Sequence, residues 1–352
     1  MNDKLIKVGI SQGDINGISY ELIIKAFEDA RIFEFCIPVL YGSSKVLAYH
    51  RKVMDLPSVN VNTVHYAGEA GINRLNIINC GNEEVTVDFS KSSPESETMT
   101  QRAMQKAYND LKAGVIDVLV MAPSNVDEFQ YLSQQLGHTP LKMLVHNSFR
   151  IALAGDKIPL SDVSSQLTTA LLLDKIKTLH ASLIHDFAVT LPRIAVLSFN
   201  PGVGVKERKE GREETEIIIP AMKTANESNI VCFGPYSGDG FFANCDYTKF
   251  DAILAIYYDQ GLMPFRSISS DEGACYFSGM PFVVTAPDHG AGYDKAGKNE
   301  SSEASFRNAI YLALDLFRTR KLDKEIYANP LKKQYFEKGS DNEKLDLTKD
   351  EE

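Results

Sequence analysis

No long apolar run, no excess of basic residues and no cluster of cysteines occurs in this chain, and each absence removes a class of function. A membrane-crossing helix needs roughly 18 consecutive apolar residues, and no stretch here approaches that length. Met1-Asn2-Asp3-Lys4 leads into a strand-like run without the layout of a signal peptide, so a cytoplasmic protein is expected. Lys and Arg number 37 against 47 Asp and Glu, for a net charge of -10. Such a balance leaves no basic surface to neutralise nucleic-acid phosphates or to lie on an anionic membrane, and favours small-molecule partners. The five cysteines, Cys36, Cys80, Cys232, Cys245 and Cys275, are odd in number and widely spaced, with no CxxC or Cys/His cluster. They read as reduced residues with a packing role. No G-x-G-x-x-G follows a strand, which excludes an ordinary dinucleotide-binding unit.

A length of 352 residues with 44% hydrophobic content suits about two packed domains. Short apolar runs alternate with longer helix-patterned stretches, as in a largely parallel sheet covered by helices. Strands are expected at 6–10, 36–41, 115–121, 150–154, 193–199, 252–257 and 282–285, and helices at 20–27, 97–113, 168–186, 213–226 and 303–318. From residue 331 to the end the chain is charged and poor in core formers, a tail that is expected to be partly mobile.

Four tracts carry residues suited to chemistry. Ser11-Gln12-Gly13-Asp14-Ile15-Asn16-Gly17 joins the first strand to the first helix with two glycines, either as a plain turn or as a helix N-terminus that receives a negative group. Gly137-His138-Thr139 is a polar step between apolar stretches, equally compatible with a cap. Tyr257-Tyr258-Asp259-Gln260-Gly261 follows the buried-strand pattern 251–256, so its polar groups belong at a strand's C-terminal end, where open α/β sheets place ligands. The tract 286–299 holds Asp288, His289, Gly290, Asp294 and Gly297, with glycines that allow close backbone approach and carboxylates that can accept hydrogen bonds from ribose hydroxyls.

In this order the tracts resemble those of the 4-hydroxythreonine-4-phosphate dehydrogenase family of vitamin B6 synthesis, from about residue 4 to residue 330. The first matches GDxxGIGxE, with Ser19 in place of a glycine; the second matches GHT; the third matches YHDQG; the fourth matches SPDHGTAxDIAGKG. The resemblance implies an α/β/α architecture of two lobes, like that of isocitrate and isopropylmalate dehydrogenases, with a cleft between them. Residues 1–130 and 285–330 would form one lobe and 131–284 the other. It also implies a homodimer, NAD or NADP as cofactor, and a small phosphorylated hydroxy amino acid as substrate. The reaction implied is oxidation of 4-phosphooxy-L-threonine, followed by loss of carbon dioxide from the β-keto acid.

The departures fall on the chemistry. The family's three metal-binding histidines stand in GHIPL, NPHAG and YHDQG, and Lys157, Gly202 and Tyr258 occupy those positions here. A protonated amine, no side chain and a neutral phenol are poor ligands, so no divalent metal is expected. Where the family surrounds the substrate with Lys, Asn and Arg, this chain has Arg266, Cys275 and Val284. By resemblance, His138 and Thr139 also hold substrate, Lys157, Asp251 and Asp259 are the candidate catalytic groups, and Asp288, His289, Gly290, Asp294 and Gly297 contact the cofactor. These losses imply an impaired or altered dehydrogenase; the alternative is a non-catalytic or repurposed metabolite-binding relative.

Overall fold

The computed structural model describes residues 5–81, 85–89, 91–202 and 211–328. The expected charged tail, 331–352, lies outside them. Among the described residues twelve strands form one sheet: β1 (Ile6–Ser11), β2 (Cys36–Gly42), β3 (Val61–Thr63), β4 (Leu75–Asn79), β5 (Val118–Met121), β6 (Leu141–His146), β7 (Phe149–Leu153), β8 (Ile194–Leu197), β9 (Cys232–Tyr236), β10 (Ala252–Ala255), β11 (Ala274–Ser278) and β12 (Val283–Pro287). Their spatial order is 3-4-2-1-5-12-11-6-7-10-8-9. Helices α1 (Ser19–Ala26), α2 (Ser44–Val53), α3 (Pro94–Lys112), α4 (Glu128–Leu136), α5 (Leu160–Gln166), α6 (Thr169–His185), α7 (Ile219–Glu227), α8 (Gly238–Ala243), α9 (Tyr258–Ser269) and α10 (Ala304–Ala328) complete the mixed α/β fold.

Strands β2, β5, β8 and β10 are buried at every position, which is why they read as continuous apolar runs instead of alternating ones. Helix starts follow from local capping. The Thr168 hydroxyl accepts from Leu171 N at the start of α6, and Ser93 and Ser96 make a reciprocal cap for α3 with Pro94 in its first turn.

The sheet divides at its centre. Strands β1 to β5 with β12 make one half, and β6 to β11 make the other. Pairing is parallel within the outer regions, but β12–β11, β11–β6 and β6–β7 are antiparallel, with Cys275 opposite Ala286 on one side and Leu144 on the other. The reversed strand β11 is therefore the seam between the halves.

Helix α10 lies across this seam, packed on β5, β11 and β12. It is anchored by a buried polar network. Arg320 forms an ion pair with Asp186 at the end of α6 and donates to the Tyr276 hydroxyl of β11 at 2.7 Å, while Tyr276 and Ser182 each donate to Asp186 Oδ2 at 2.6 Å. Removing one partner of a buried pair strands the other charge. Arg320→Met is expected to cost roughly 3 kcal/mol of stability, read as a lowered urea midpoint with unchanged slope; a loss below about 0.5 kcal/mol would show that the network carries no weight.

Candidate active site

A cleft of about 770 Å³ opens at the middle of the sheet, where the C-terminal ends of β5 and β12 meet the start of β11 and the first turns of α4 and α9. One wall is a unit of three loops. Gly13 turns the chain with φ +69, and a Cβ there would lie 2.3 Å from the Pro123 carbonyl oxygen, to which Asp14 N donates at 3.0 Å. Ile18 N donates to the Ala291 carbonyl at 2.9 Å, and a Cβ on Gly17 would lie 2.4 Å from that oxygen. The Tyr293 hydroxyl donates to Asp14 Oδ2 at 2.6 Å, and buried Glu21 accepts from Ser301 N at 2.8 Å. The loop after β1 is thus fixed at once to the end of β5 and to the loop after β12.

The loop after β12 supplies Asp288, His289, Gly290, Asp294 and Lys295 to the cleft. Asp288 is bracketed by the Ser305 hydroxyl, 3.2 Å from Oδ1, and by the Arg266 Nε, 3.7 Å from Oδ2, while the Arg266 guanidinium also donates to the Asp288 carbonyl. Burial raises the Asp288 carboxyl above the ordinary range and lowers the neighbouring His289 imidazole.

The opposite wall carries a compact charge cluster. Lys142 Nζ, in the apolar strand β6, lies 3.4 Å from Asp156 Oδ1 and 5.7 Å from the centre of the Tyr258 ring. Glu128, in the first turn of α4, accepts from the Ser124 hydroxyl at 3.0 Å, and burial raises its carboxyl. Lys157, with φ +49, reaches the cleft from the loop before α5, and its Nζ lies 3.6 Å from Asp127. Among the described residues no group of three or more His, Cys, Asp or Glu is placed to hold a metal ion. The residues at the family's ligand positions do not fit a dication either: Lys157 is a cation, Tyr258 faces the ammonium of Lys142, and Gly202 offers only its backbone, whose N–H donates to the Ser237 hydroxyl at 3.0 Å.

Of the residues expected from the sequence, the cleft brings together Lys157, Arg266, Cys275, Asp288, His289, Gly290 and Asp294. It does not include the others. Asp251 precedes β10, at the opposite end of that strand from Tyr258, and its carboxylate accepts from Arg193 N at 2.8 Å. Asp259 is exposed in the first turn of α9. Val284 is fully buried in β12, within the apolar core. Gly137 ends α4 with φ +75, so exposed His138 and Thr139 lead into β6 from its far end, with the His138 ring 3.4 Å from the Gly279 carbonyl. Gly297, φ +76, packs on Phe89. Sequence reasoning missed Glu128, Lys142 and Tyr293. A lone lysine inside Leu141-Lys142-Met143-Leu144-Val145 is a signal that could have been read, because a charge in a buried strand requires a partner.

Gln260 joins the two outer strands beside the cleft: its Oε1 accepts from Ile256 N at 2.7 Å and its Nε2 donates to the Ser198 carbonyl at 2.6 Å. A Cβ on Gly261 would lie 2.5 Å from the Leu153 side chain.

A single mixed sheet with a central cleft and a glycine-bearing loop at its edge is the architecture of the isocitrate dehydrogenase-like fold. The isocitrate dehydrogenase of Methylococcus capsulatus shares it with a TM-score of 0.50 at 10% identity, over 92% of this chain and 88% of that one, a likeness of fold alone. More narrowly, the chain belongs to the family of the pyridoxal phosphate biosynthetic protein PdxA, whose model matches residues 34–313. The 4-hydroxythreonine-4-phosphate dehydrogenase of Bacteroides thetaiotaomicron is 46% identical over 360 aligned positions, 99% of this chain and 98% of that one. A relative of the same name from Sulfurihydrogenibium is 31% identical over 90% of this chain and 100% of its own length. The crystal structure of the Burkholderia phymatum enzyme of that name matches with a TM-score of 0.73 and 25% identity over 89% of this chain and 99% of that one.

His50 of α2 supports the first loop from beneath, its Nε2 2.8 Å from the Ile15 carbonyl oxygen. Burial lowers its pKa from 6.5 to about 4, so the fold holds the ring neutral while the unfolded chain takes up a proton first. This contribution is complete above pH 6.5 and is lost as pH falls to about 4, a difference of roughly 3 kcal/mol. Chemical denaturation across that window should show a steep acid loss that His50→Gln flattens; parallel profiles for the two proteins would refute it.

Proposed function

We propose that the chain is an NAD-dependent dehydrogenase that oxidises the secondary alcohol of 4-phosphooxy-L-threonine, after which the β-keto acid loses carbon dioxide. This is a step of pyridoxal phosphate synthesis, carried out in the cytoplasm by a homodimer. The observation that carries the reading is full-length identity of 46% to a relative of that name. Among the described residues no helix is long and apolar enough to cross a membrane, in keeping with that setting.

NAD, when bound, accepts the hydride; the chain binds and orients the reactants. The loop after β12 is the cofactor-facing element. A Cβ on Gly290 would meet nothing nearer than the Ser124 carbonyl oxygen at 3.8 Å, so the chain's own packing leaves room there for a ligand to approach the backbone. Exposed Asp294 is free to accept from a ribose hydroxyl. Arg266, half in solvent at 46% exposure and tethered by Asp288, presents a cation for the substrate phosphate or carboxylate. The division of the sheet at β11 supports two lobes, 1–130 with 285–330 and 131–284, that close on the cleft. Two-fold dimers are the commonest oligomers, and Met263 on α9 exposes an apolar side chain that one could cover.

Mixing the purified protein with NAD and 4-phosphooxy-L-threonine should produce NADH absorbance. Asp294→Ala is expected to raise the KM for NAD about fivefold, the loss of about one hydrogen bond, and Arg266→Met to raise the substrate KM on the order of tenfold, the loss of a charge-assisted contact. Tight NAD binding without turnover would instead favour a metabolite-binding relative. Sedimentation showing only monomer would remove the dimer.

A further inference from the structure

Oxidation of an alcohol by hydride transfer requires its hydroxyl to give up a proton, which puts negative charge on the oxygen before the hydride leaves, and the cleft contains one cation built to meet it. Lys142 is the second residue of β6 and its side chain is only 15% exposed, yet it lines the cleft. Its holder, Asp156, is 1% exposed and spends one oxygen on Lys142, while Oδ2 has no hydrogen-bond partner. The Tyr258 ring covers the ammonium from the α9 side. Burial works against the charge on Lys142, but the surrounding acidic groups, Cys275, Asp156, Tyr258 and Glu128, more than compensate and raise its pKa. Burial also pushes the Cys275 thiol up to about 12, which leaves Asp156 as the carboxyl paired with Lys142; burial raises the Asp156 pKa, and Lys142 and Lys157 pull it part of the way back down. Lys157 is differently placed. It is 48% exposed and its partner Asp127 is 37% exposed, so water screens both.

We propose that Lys142 is the catalytic cation of this cleft: its ammonium donates to the reacting hydroxyl oxygen and stabilises the alkoxide, with Asp156 as the positioning residue. The proposal rests on the dehydrogenase reading above. In the step, the C–H bond of the secondary alcohol breaks and both electrons pass as hydride to the nicotinamide of NAD, which is reduced. The O–H proton leaves to water in the open cleft, and the alcohol carbon becomes a ketone. When the adjacent carboxylate then departs as carbon dioxide, the C–C bonding electrons move onto the same oxygen as an enolate, again facing Lys142. A preorganised charge held by a buried partner, as Lys142 is by Asp156, is worth more than the same charge in solution. A dication beside Lys142 would be repelled by it, so the ammonium disfavours a metal at the same place.

The test uses full-length protein washed with chelator. Lys142→Met alone would leave Asp156 buried and unpaired, so it is combined with Asp156→Asn, which removes both charges together. Wild-type protein should turn over without added metal. The double variant should keep its NAD affinity and lose on the order of 100-fold in kcat, and the deuterium isotope effect with substrate labelled at the oxidised carbon should rise, because hydride transfer has become the slow step. Should the double variant fail to fold, Lys142→Arg carries the test: it keeps the charge, displaces it, and should show a lower kcat with the same rise in isotope effect. Active wild type with variants unchanged in kcat and isotope effect would overturn the Lys142 assignment and leave the dehydrogenase reading standing. The same holds for turnover that appears only on adding Mg, Mn, Co or Zn, or for a loss confined to Lys157→Met. Wild type inert with and without metal would overturn both.

Discussion

The structure depends on a strand that runs against its neighbours. β11 is antiparallel to β12 on one side and to β6 on the other, and it is buried at all five positions. Were it parallel, its connections would need crossovers of a dozen or more residues over the sheet face; reversed, it links the halves through the short Gly279 turn to β12. The C-terminal ends of β5 and β12 therefore face the start of β11 and the starts of α4 and α9 across a gap, and that gap is the cleft. Helix α10 and the Asp186–Tyr276–Arg320 network lie over this same seam, so the polar anchoring is placed where the sheet changes direction.

Around the cleft the two walls differ in kind. The wall formed by the loops after β1, β5 and β12 is held by backbone carbonyls at distances a side chain would violate, at Gly13 and Gly17. Its shape is a steric consequence of glycine positions. The other wall is held by charge: Lys142 with Asp156, Glu128 with Ser124, Lys157 with Asp127. Shape on one side and electrostatics on the other suit a site in which a large ligand is cradled and a small reacting group is polarised.

Much of the fold could be read from the sequence where burial is two-sided and local caps are strong. β1, β2, β7 and β12 appear as apolar runs, and α1, α3, α6 and α10 as periodic stretches with recognisable starts. The expected helix at 213–226 begins with a π-helical segment, Glu214–Ile218, before α7. Less was visible where tertiary contacts override local preference. α9 contains Gly261 and Pro264, both unfavourable in a helix interior, and is held by the burial of Leu262 and Phe265. β11, five residues between Gly273 and Gly279, is too short to be distinguished without its partners. The site residues divided in the same way. The loop after β12 was found because its glycines and carboxylates are local in sequence, whereas Lys142, Asp156 and Glu128 acquire meaning only when β6, the loop before α5 and α4 are brought together. Gly137-His138-Thr139 shows the converse: a matching tripeptide whose place in the fold, past the end of α4, puts it outside the cleft.

Gln260 and Gly261 give the tract 257–261 a double character. The carboxamide closes the gap between two strand ends, and the glycine makes room for Leu153, whatever residue occupies position 258. Two letters of such a signature can therefore persist as carpentry after another has changed its trade. Recognition of the tract in a genome measures the survival of a scaffold, and the reactivity of each bearer has to be read from the position that the scaffold leaves free to vary.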